Sequence, residues 1–233
     1  MFQKLRKSKK LVLIAMACAT FAIAGCGSDT TKSTADNGKS VTWSETFDGT
    51  KTDFAVKSSP THAVSMSQAT TEMMLQLGLE DKMAGTAFKE EEIYPPLQAA
   101  YDKVKVLSDK WPSYEVFMSV KPDFATGWPD SFSKRAIPAD KMIAQKVNIW
   151  LPESMLSTKA DLETNFNDMI KLGEIFGVKP KAEEWVAGQR KTLEAIQTKL
   201  KDLPRKRVFI YDSEDGQPFT AFEGYTTNIL KLI

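Results

Sequence analysis

The stretch His62–Thr86, HAVSMSQATTEMMLQLGLEDKMAGT, contains the pattern that decides the fold. Residues 62–66 form a short apolar run that is typical of a buried strand. The polar turn Ser67–Thr70 then opens a segment with methionine and leucine at helical spacing. Gly78 closes this helix, because glycine favours the left-handed conformation at a helix end. Residues 82–86 form a second short strand, so the stretch predicts a strand–helix–strand unit.

Strands and helices continue to alternate on both sides of this unit. Upstream, residues 41–43 and 53–56 are predicted as the short strands of an N-terminal hairpin. Downstream, the pattern predicts in turn helix 113–120, strand 124–127, helix 137–145, strand 148–151 and helix 159–176. Strands separated by helices of this length favour an α/β fold with a parallel sheet covered by helices on both faces.

A longer helix is predicted between Pro180 and Pro204, with apolar residues repeating along one stripe. A new strand is predicted at 207–211, directly after it. The domain organisation we predict is an N-terminal α/β lobe at 41–180, a linker helix at 181–203, and at 204–233 the start of a second α/β lobe that is mostly missing.

The N-terminus has the order of an export signal. A basic segment, 2–10, precedes an apolar stretch, 11–25, which is too short to cross a bilayer because a span needs about 20 apolar residues. The sequence IAGC at 23–26 resembles the bacterial lipobox, in which the cysteine is acylated and the preceding residues are removed.

This signal predicts how the protein is placed in the cell. We expect a signal peptide at 1–25, a lipidated Cys26, and a flexible tether at 26–40 that is too polar to fold. The lipid would hold the folded part at a cell membrane on its extracytoplasmic face. An ordinary signal peptide with an incidental Cys26 is the alternative.

Composition excludes several classes of function. The chain has 31 Lys+Arg against 30 Asp+Glu and a formal charge of +1, which argues against nucleic acid as a partner. Its single histidine, His62, has no second histidine or free cysteine with which to form a soft metal site. The charged run at 89–92 is typical of a solvated face. We therefore predict no metal site and no cofactor.

The order of the motifs resembles that of a known family. Four stretches in turn are similar to substrate-binding lipoproteins of ABC importers for ferric siderophores, haem and cobalamin: 62–86, 94–96 (YPP), 114–124 (YEVFMSVKPDF) and 206–225 (KRVFIYDSEDGQPFTAFEGY). The resemblance implies two α/β lobes joined by one long helix, with the ligand bound between them. It also implies delivery to a membrane permease that is driven by a separate ATPase subunit. Because the chain ends at Ile233, we expect a C-terminally truncated member, either a fragment or a natural truncation.

The candidate site residues follow from the predicted sheet, because ligands of open α/β sheets meet the loops at the carboxyl ends of the strands. The predicted ligand-binding residues in these loops are Ser67, Gln68, Phe88, Asp109, Lys110, Trp111 and Trp128. The two tryptophans offer flat surfaces for a macrocycle or an aromatic chelate, and Lys110 could pair with an anionic group. The alternatives are ordinary packing for Trp128 and Phe88, and helix capping for the turn 67–70.

Glu115 is a candidate docking residue, because the resemblance implies a surface acid near this position that pairs with arginines of the permease. The alternative is a first-turn glutamate that the helix dipole favours. The comparable acid of the second lobe would fall near Lys231, which leaves that half of the docking pair in question.

The function that these observations favour is capture of an iron complex (a siderophore or haem) or cobalamin for import, by reversible binding without catalytic residues. Three alternatives remain at this stage. A protein of the same fold could bind a bare metal ion, although histidine and cysteine are scarce. A secreted lipoprotein hydrolase would be expected to carry a GxSxG motif, which the sequence lacks. A ligand-sensing receptor subunit would bind without import.

Overall fold

The computed structural model describes residues 40–214, 216–220 and 223–232. The predicted signal peptide, Cys26 and the predicted tether up to residue 39 lie outside the described residues. The strands are β1 (Val41–Phe47), β2 (Thr50–Val56), β3 (Ala63–Ser65), β4 (Met83–Ala87), β5 (Val106–Ser108), β6 (Phe124–Thr126), β7 (Asn148–Trp150), β8 (Tyr211–Glu214) and β9 (Pro218–Thr220). The helices are α1 (Gln68–Gln76), α2 (Gln98–Tyr101), α3 (Tyr114–Ser119), α4 (Ala139–Ala144), α5 (Leu162–Ile175), α6 (Lys179–Leu200) and α7 (Tyr225–Leu230).

A five-stranded parallel sheet forms the centre of the fold. Its strand order is β5-β4-β3-β6-β7. The first strand of this sheet along the chain, β3, lies at its centre, β4 and β5 are added on one side, and β6 and β7 on the other. Helices connect the strands, which confirms the predicted α/β class with a parallel sheet. The carboxyl ends of all five strands point to the same edge of the sheet, as parallel pairing requires.

Apolar side chains cover both faces of this sheet because successive strand residues point in opposite directions. Ala63 and Phe124 belong to a core formed with α1, α5 and the start of α6. Val64 and Ala125 belong to a second core, formed with α3 and α4. The central strands are therefore buried on both sides, and they position the loops at their ends rigidly.

The N-terminal hairpin β1–β2 packs against the β7 edge of the sheet. The indole Nε1 of Trp43 donates to the carbonyl of Ile149 at 2.7 Å, and a carboxylate oxygen of Glu45 accepts the backbone N–H of Leu151 at 3.0 Å. Side chains of the hairpin thus satisfy backbone groups that an edge strand would otherwise leave unpaired.

Helix α6 has two differently packed halves. Its N-terminal half packs on α5, where a Cβ at Gly173 would lie 2.7 Å from the Cβ of Ala182. Ala182 and Val186 are buried, whereas residues 189–200 are exposed or half-buried. The helix begins two residues before its predicted start, because Pro180 fits the first turn, where its missing N–H is not needed.

One local prediction is wrong, and three short elements were not predicted. The strand predicted at 207–211 is wrong: residues 204–210 have no regular structure, and β8 begins only at Tyr211. No described strand pairs with 207–210, and extended backbone without a partner gains no ladder hydrogen bonds. The short elements β5, α2 and β9 were not predicted, because three or four residues show no clear periodicity.

In the described part of the chain, no helix is long and apolar enough to cross a membrane.

Candidate functional site

Two aromatic rings stack at the carboxyl end of the sheet. Phe88 follows β4, and Trp111 lies in the loop after β5; their ring centroids are 4.6 Å apart at an interplanar angle of 16°. The two residues meet because β4 and β5 are neighbouring strands. The Nε1–H of Trp111 donates to the carbonyl of Met66, just after β3, at 3.1 Å, which fixes the orientation of the indole.

A third aromatic residue, Trp128, lies in the loop after β6. Its Nε1–H donates to the carboxylate of Glu90 at 3.4 Å, which joins this loop to the loop after β4. Phe88, Trp111 and Trp128 are all half-buried, so part of each ring faces solvent. We call these three residues the aromatic edge. Such a surface can stack against a flat, apolar ligand.

The backbone at Phe88 is strained. Its φ angle is +60°, in the left-handed region that bulky residues rarely adopt. The carbonyl of Phe88 accepts the backbone N–H of Gln68 at 3.1 Å, while its ring stacks on Trp111. Contacts on both sides of the Cα therefore hold this conformation.

Gln68 uses its whole side-chain amide within the protein. Its Oε1 accepts the backbone N–H groups of Glu90 and Glu91 at 2.9 and 2.7 Å. Its Nε2 donates to the carboxylate of Glu72 at 2.9 Å and to the carbonyl of Glu92 at 3.1 Å. The sequence predicted a ligand contact for Gln68, and the structure gives this side chain four contacts to its own chain.

Ser67 is enclosed. Its relative exposure is 0%, and its hydroxyl oxygen accepts the N–H of Thr70 as the N-cap of α1. We therefore leave Ser67 out of the binding surface, and the capping alternative describes its role. It belongs to a hydrogen-bonded set of buried hydroxyl groups from Ser65, Ser67, Thr70, Thr71 and Thr86. Sequence reasoning missed this set, because its members come from β3, α1 and β4.

The charged candidates lie on the surface. Asp109 and Lys110 are exposed in the loop that leads to Trp111. Glu115 is exposed in the first turn of α3, and its pKa is lowered by its own backbone N–H and by the hydroxyl of Ser113. These hydrogen bonds favour the charged form of Glu115.

Two buried carboxylates hold the edge around β7, and neither was predicted. Burial raises the pKa of Glu45, the charges of Glu153 and Asp168 add to this increase, and the hydrogen bond from Leu151 opposes it; the net value is about 7. Asp168 on α5 accepts the backbone N–H groups of Glu153 and Ser154, each at 2.9 Å, and burial raises its pKa. The alternation of β1 contained a signal, because Glu45 shares the inward face with Trp43.

His62 lies at the opposite end of the sheet, before β3, and is exposed. Its ring Nδ1 is 3.0 Å from the hydroxyl of Thr61, and Asp123 accepts its backbone N–H. Within the described ranges, no group of three or more His, Cys, Asp or Glu side chains is arranged to hold a metal ion.

Comparisons with known proteins give consistent results. Residues 64–228 match the sequence profile of a family described as periplasmic binding protein. An uncharacterized ABC transporter substrate-binding lipoprotein of Bacillus subtilis strain 168, YvrC, is 26% identical over 223 residues, which cover 92% of this chain and 67% of that protein.

Solved structures share the fold. The crystal structure of a periplasmic binding protein from Veillonella parvula DSM 2008 is 95% identical, with a TM-score of 0.83 over 84% of this chain and 66% of that one. A structure described as an ABC-type Fe3+-hydroxamate transport system, from Saccharomonospora viridis DSM 43017, is 18% identical, with a TM-score of 0.57 over 72% of this chain and 59% of that one. The present chain spans less than two thirds of either crystallised protein.

Proposed function

The chain belongs to the periplasmic binding protein family, and from this premise we propose that it is a ligand-capturing subunit of an ABC importer. The cargo we propose is an iron complex (a siderophore or haem) or a corrinoid, bound reversibly and released unchanged. The protein is then not an enzyme. Its partners would be a membrane permease and the ATPase subunit that drives it.

The observation that supports this proposal is the aromatic edge. Three half-buried aromatic residues lie in the loops after β4, β5 and β6, at the end of the sheet where open α/β sheets bind their ligands; two of their rings stack, and the third is hydrogen-bonded to the loop after β4. The indole N–H groups of both tryptophans already have acceptors within the protein, so the rings can contribute chiefly their apolar faces. A macrocycle or a chelate with an apolar face suits such a surface better than a bare cation, which needs converging oxygen or nitrogen atoms.

Charged groups beside the aromatic edge would refine recognition. We propose that Lys110 and Asp109, which are exposed next to Trp111, contact polar groups of the cargo. We propose Glu115 as a docking contact for arginines of the permease, because it is an exposed acidic residue in the first turn of α3. We also propose attachment of the chain to the outer face of a membrane through a lipid on Cys26.

The binding proposal is tested by equilibrium dialysis of the full chain against ferrioxamine B, hemin and cyanocobalamin, with bound probe measured by its visible absorbance. We expect saturable binding of one probe. Trp111→Ala and Trp128→Ala should each weaken it by roughly tenfold, because each removes a stacking surface. Trp185→Phe is the matched control, since Trp185 packs on Phe166 between α5 and α6, away from the site.

Two results would contradict the proposal. One is the absence of saturable binding for all three probes, and the other is binding that both alanine variants leave unchanged. Chromatography of the recovered probe distinguishes a binding protein from the hydrolase alternative, because a binding protein returns the probe intact.

A further inference from the structure

We propose that Gln68 is a positioning residue: it holds the loop of residues 88–94 in place and through it sets the geometry of the aromatic edge. This inference rests on the proposed function for its binding consequence. In this proposal Gln68 does not contact the ligand directly. The first two turns of α1 cover the sheet and also hold the loop of residues 88–94.

The hydrogen bonds of Gln68 fit only one orientation of its amide. Oε1 faces two backbone N–H donors, those of Glu90 and Glu91, while Nε2 faces two acceptors, the carboxylate of Glu72 and the carbonyl of Glu92. Exchanging the oxygen and the nitrogen would oppose donor to donor and acceptor to acceptor. An amide is therefore required here, and neither a carboxylate nor an amine can replace it.

Glu72 completes the attachment one turn further along α1. The carboxylate oxygen that accepts Nε2 of Gln68 also accepts the backbone N–H of Tyr94 at 3.1 Å. The two side chains, at positions i and i+4, lie on the same face of the helix. Together they hold residues 90–94 by four backbone groups. We call this arrangement the Gln68–Glu72 clip.

The clip acts on the aromatic edge at two points. The loop that it holds begins at Phe88, whose backbone is strained and whose carbonyl accepts the N–H of Gln68. The same loop carries Glu90, whose carboxylate accepts the indole N–H of Trp128. If the loop were released, Phe88 could relax from its positive φ and leave Trp111, while Trp128 would lose its acceptor.

The decisive variant is Gln68→Glu, which keeps the size and Oε1 but replaces the donor Nε2 by an acceptor. The new carboxylate would face Glu72 and the carbonyl of Glu92. We expect hydrogen exchange of the amides at 90–94, measured by mass spectrometry without any ligand at pH 7, to accelerate roughly tenfold. Exchange in β6 should stay as in the wild type, because β6 reports global opening.

Gln98→Glu is the matched control. Gln98 on α2 donates through Nε2 to Asp102, four residues on, at 2.6 Å, so the substitution makes the same chemical change in an exposed helical pair outside the clip. We expect it to leave exchange at 90–94 and probe binding unchanged.

A pH signature separates positioning from general destabilisation. Two carboxylates in one site share a proton at acidic pH. The Gln68→Glu variant should therefore regain a donor near pH 4.5. The ratio of its exchange rate at 90–94 to that of the wild type, measured at the same pH, should then return toward one.

Binding gives the second readout. For whichever of ferrioxamine B, hemin or cyanocobalamin binds the wild type, Gln68→Glu should weaken binding at pH 7 by roughly tenfold. Unchanged exchange at 90–94, or accelerated exchange with undiminished binding, would overturn the proposal. If the wild type binds none of the probes, the proposed function fails. The clip is then supported or overturned by the variant-to-wild-type exchange ratios at 90–94 at the two pH values alone.

Discussion

The region 41–188 and the region 189–232 contain similar apolar residues but bury them very differently. In the first region, Phe124 and Phe117 are fully enclosed between the sheet and its helices. In the second, Val208 is 64% exposed and Phe209 is 72% exposed. An apolar sequence thus forms a core only where parallel strands and covering helices are both present to receive it.

The second region contacts the first at few points. Asn228 on α7 donates to the carbonyls of Ala160 at 2.8 Å and Thr158 at 3.4 Å, whereas Gln197 on α6 donates to the carbonyl of Leu232 within the second region itself. A cavity of about 660 Å³ lies between the end of α6, the segment after it and the end of α7. The hairpin β8–β9 has only two strands, which is below what gives independent stability in water.

The comparison is tested most strongly by the same substitution in each region. Phe124 is fully buried, with its ring centroid 5.1 Å from that of Phe176. We expect Phe124→Ala to lower the free energy of unfolding by about 3–5 kcal/mol, because it opens a cavity in the core. Phe209→Ala should change it by less than about 0.5 kcal/mol. Urea denaturation followed by circular dichroism measures both values.

Equal losses for the two phenylalanine variants would contradict the comparison, since they would mean that Phe209 is buried in solution. The slope of unfolding free energy against urea concentration provides a check. It should be the same in both variants, because neither changes the surface that unfolding exposes in the rest of the chain.

The sheet and helices of the first region could be predicted from the sequence, but the lack of a strand at 207–210 in the second region could not. The alternation of short apolar runs and helical stripes from 62 to 176 predicted the parallel sheet, because local periodicity specifies such elements directly. The same criterion predicted a strand at 207–211, and this prediction was wrong for 207–210. Whether an apolar run pairs depends on a neighbouring strand, and a local pattern contains no information about neighbours.

A smaller effect is expected from the buried carboxylate that links the hairpin to β7. The pKa of Glu45 is about 7 in the folded protein, above its usual value of 4.5, so the folded state binds more protons than the unfolded state between these values. The contribution of Glu45 is therefore fully present below pH 4.5 and is lost as the pH rises through 7. We expect its loss to lower the free energy of unfolding by roughly 3 kcal/mol, because each pKa unit corresponds to about 1.4 kcal/mol.

The measurement is the free energy of unfolding of the wild type minus that of Glu45→Gln, taken from pH 4.5 to pH 8. This difference should fall with rising pH, because glutamine can still accept the N–H of Leu151 but cannot ionise. Glu214→Gln, at an exposed position in β8, is the control and should leave the pH profile unchanged. A flat difference for Glu45→Gln would mean that Glu45 reaches solvent.

For the candidate site, the positions of the aromatic residues could be predicted from the sequence, but the roles of the neighbouring polar residues could not. The rule that ligands meet the carboxyl ends of strands pointed to the loops of Phe88, Trp111 and Trp128; in the structure the first two rings stack, and Trp128 donates to Glu90 in the loop that begins at Phe88. The roles of Ser67 and Gln68 could not be separated from ligand contact by sequence. Residue type and position are the same for a side chain that binds a ligand and for one that binds the backbone of the next loop.

The smallest effect is expected where the two regions meet along α6. Arg190, in the exposed half of the helix, pairs with Glu163 on α5 through Nη2 at 2.5 Å and Nε at 3.2 Å. Both side chains are about half exposed, so water and salt screen the attraction that the short distances suggest. We expect Glu163→Gln to leave the urea midpoint unchanged within error at 150 mM salt, about the physiological ionic strength. A clear loss of stability would show that the outer half of α6 is held to the first region by this pair, and the boundary between the two regions would then have to move toward the C-terminal end of the helix.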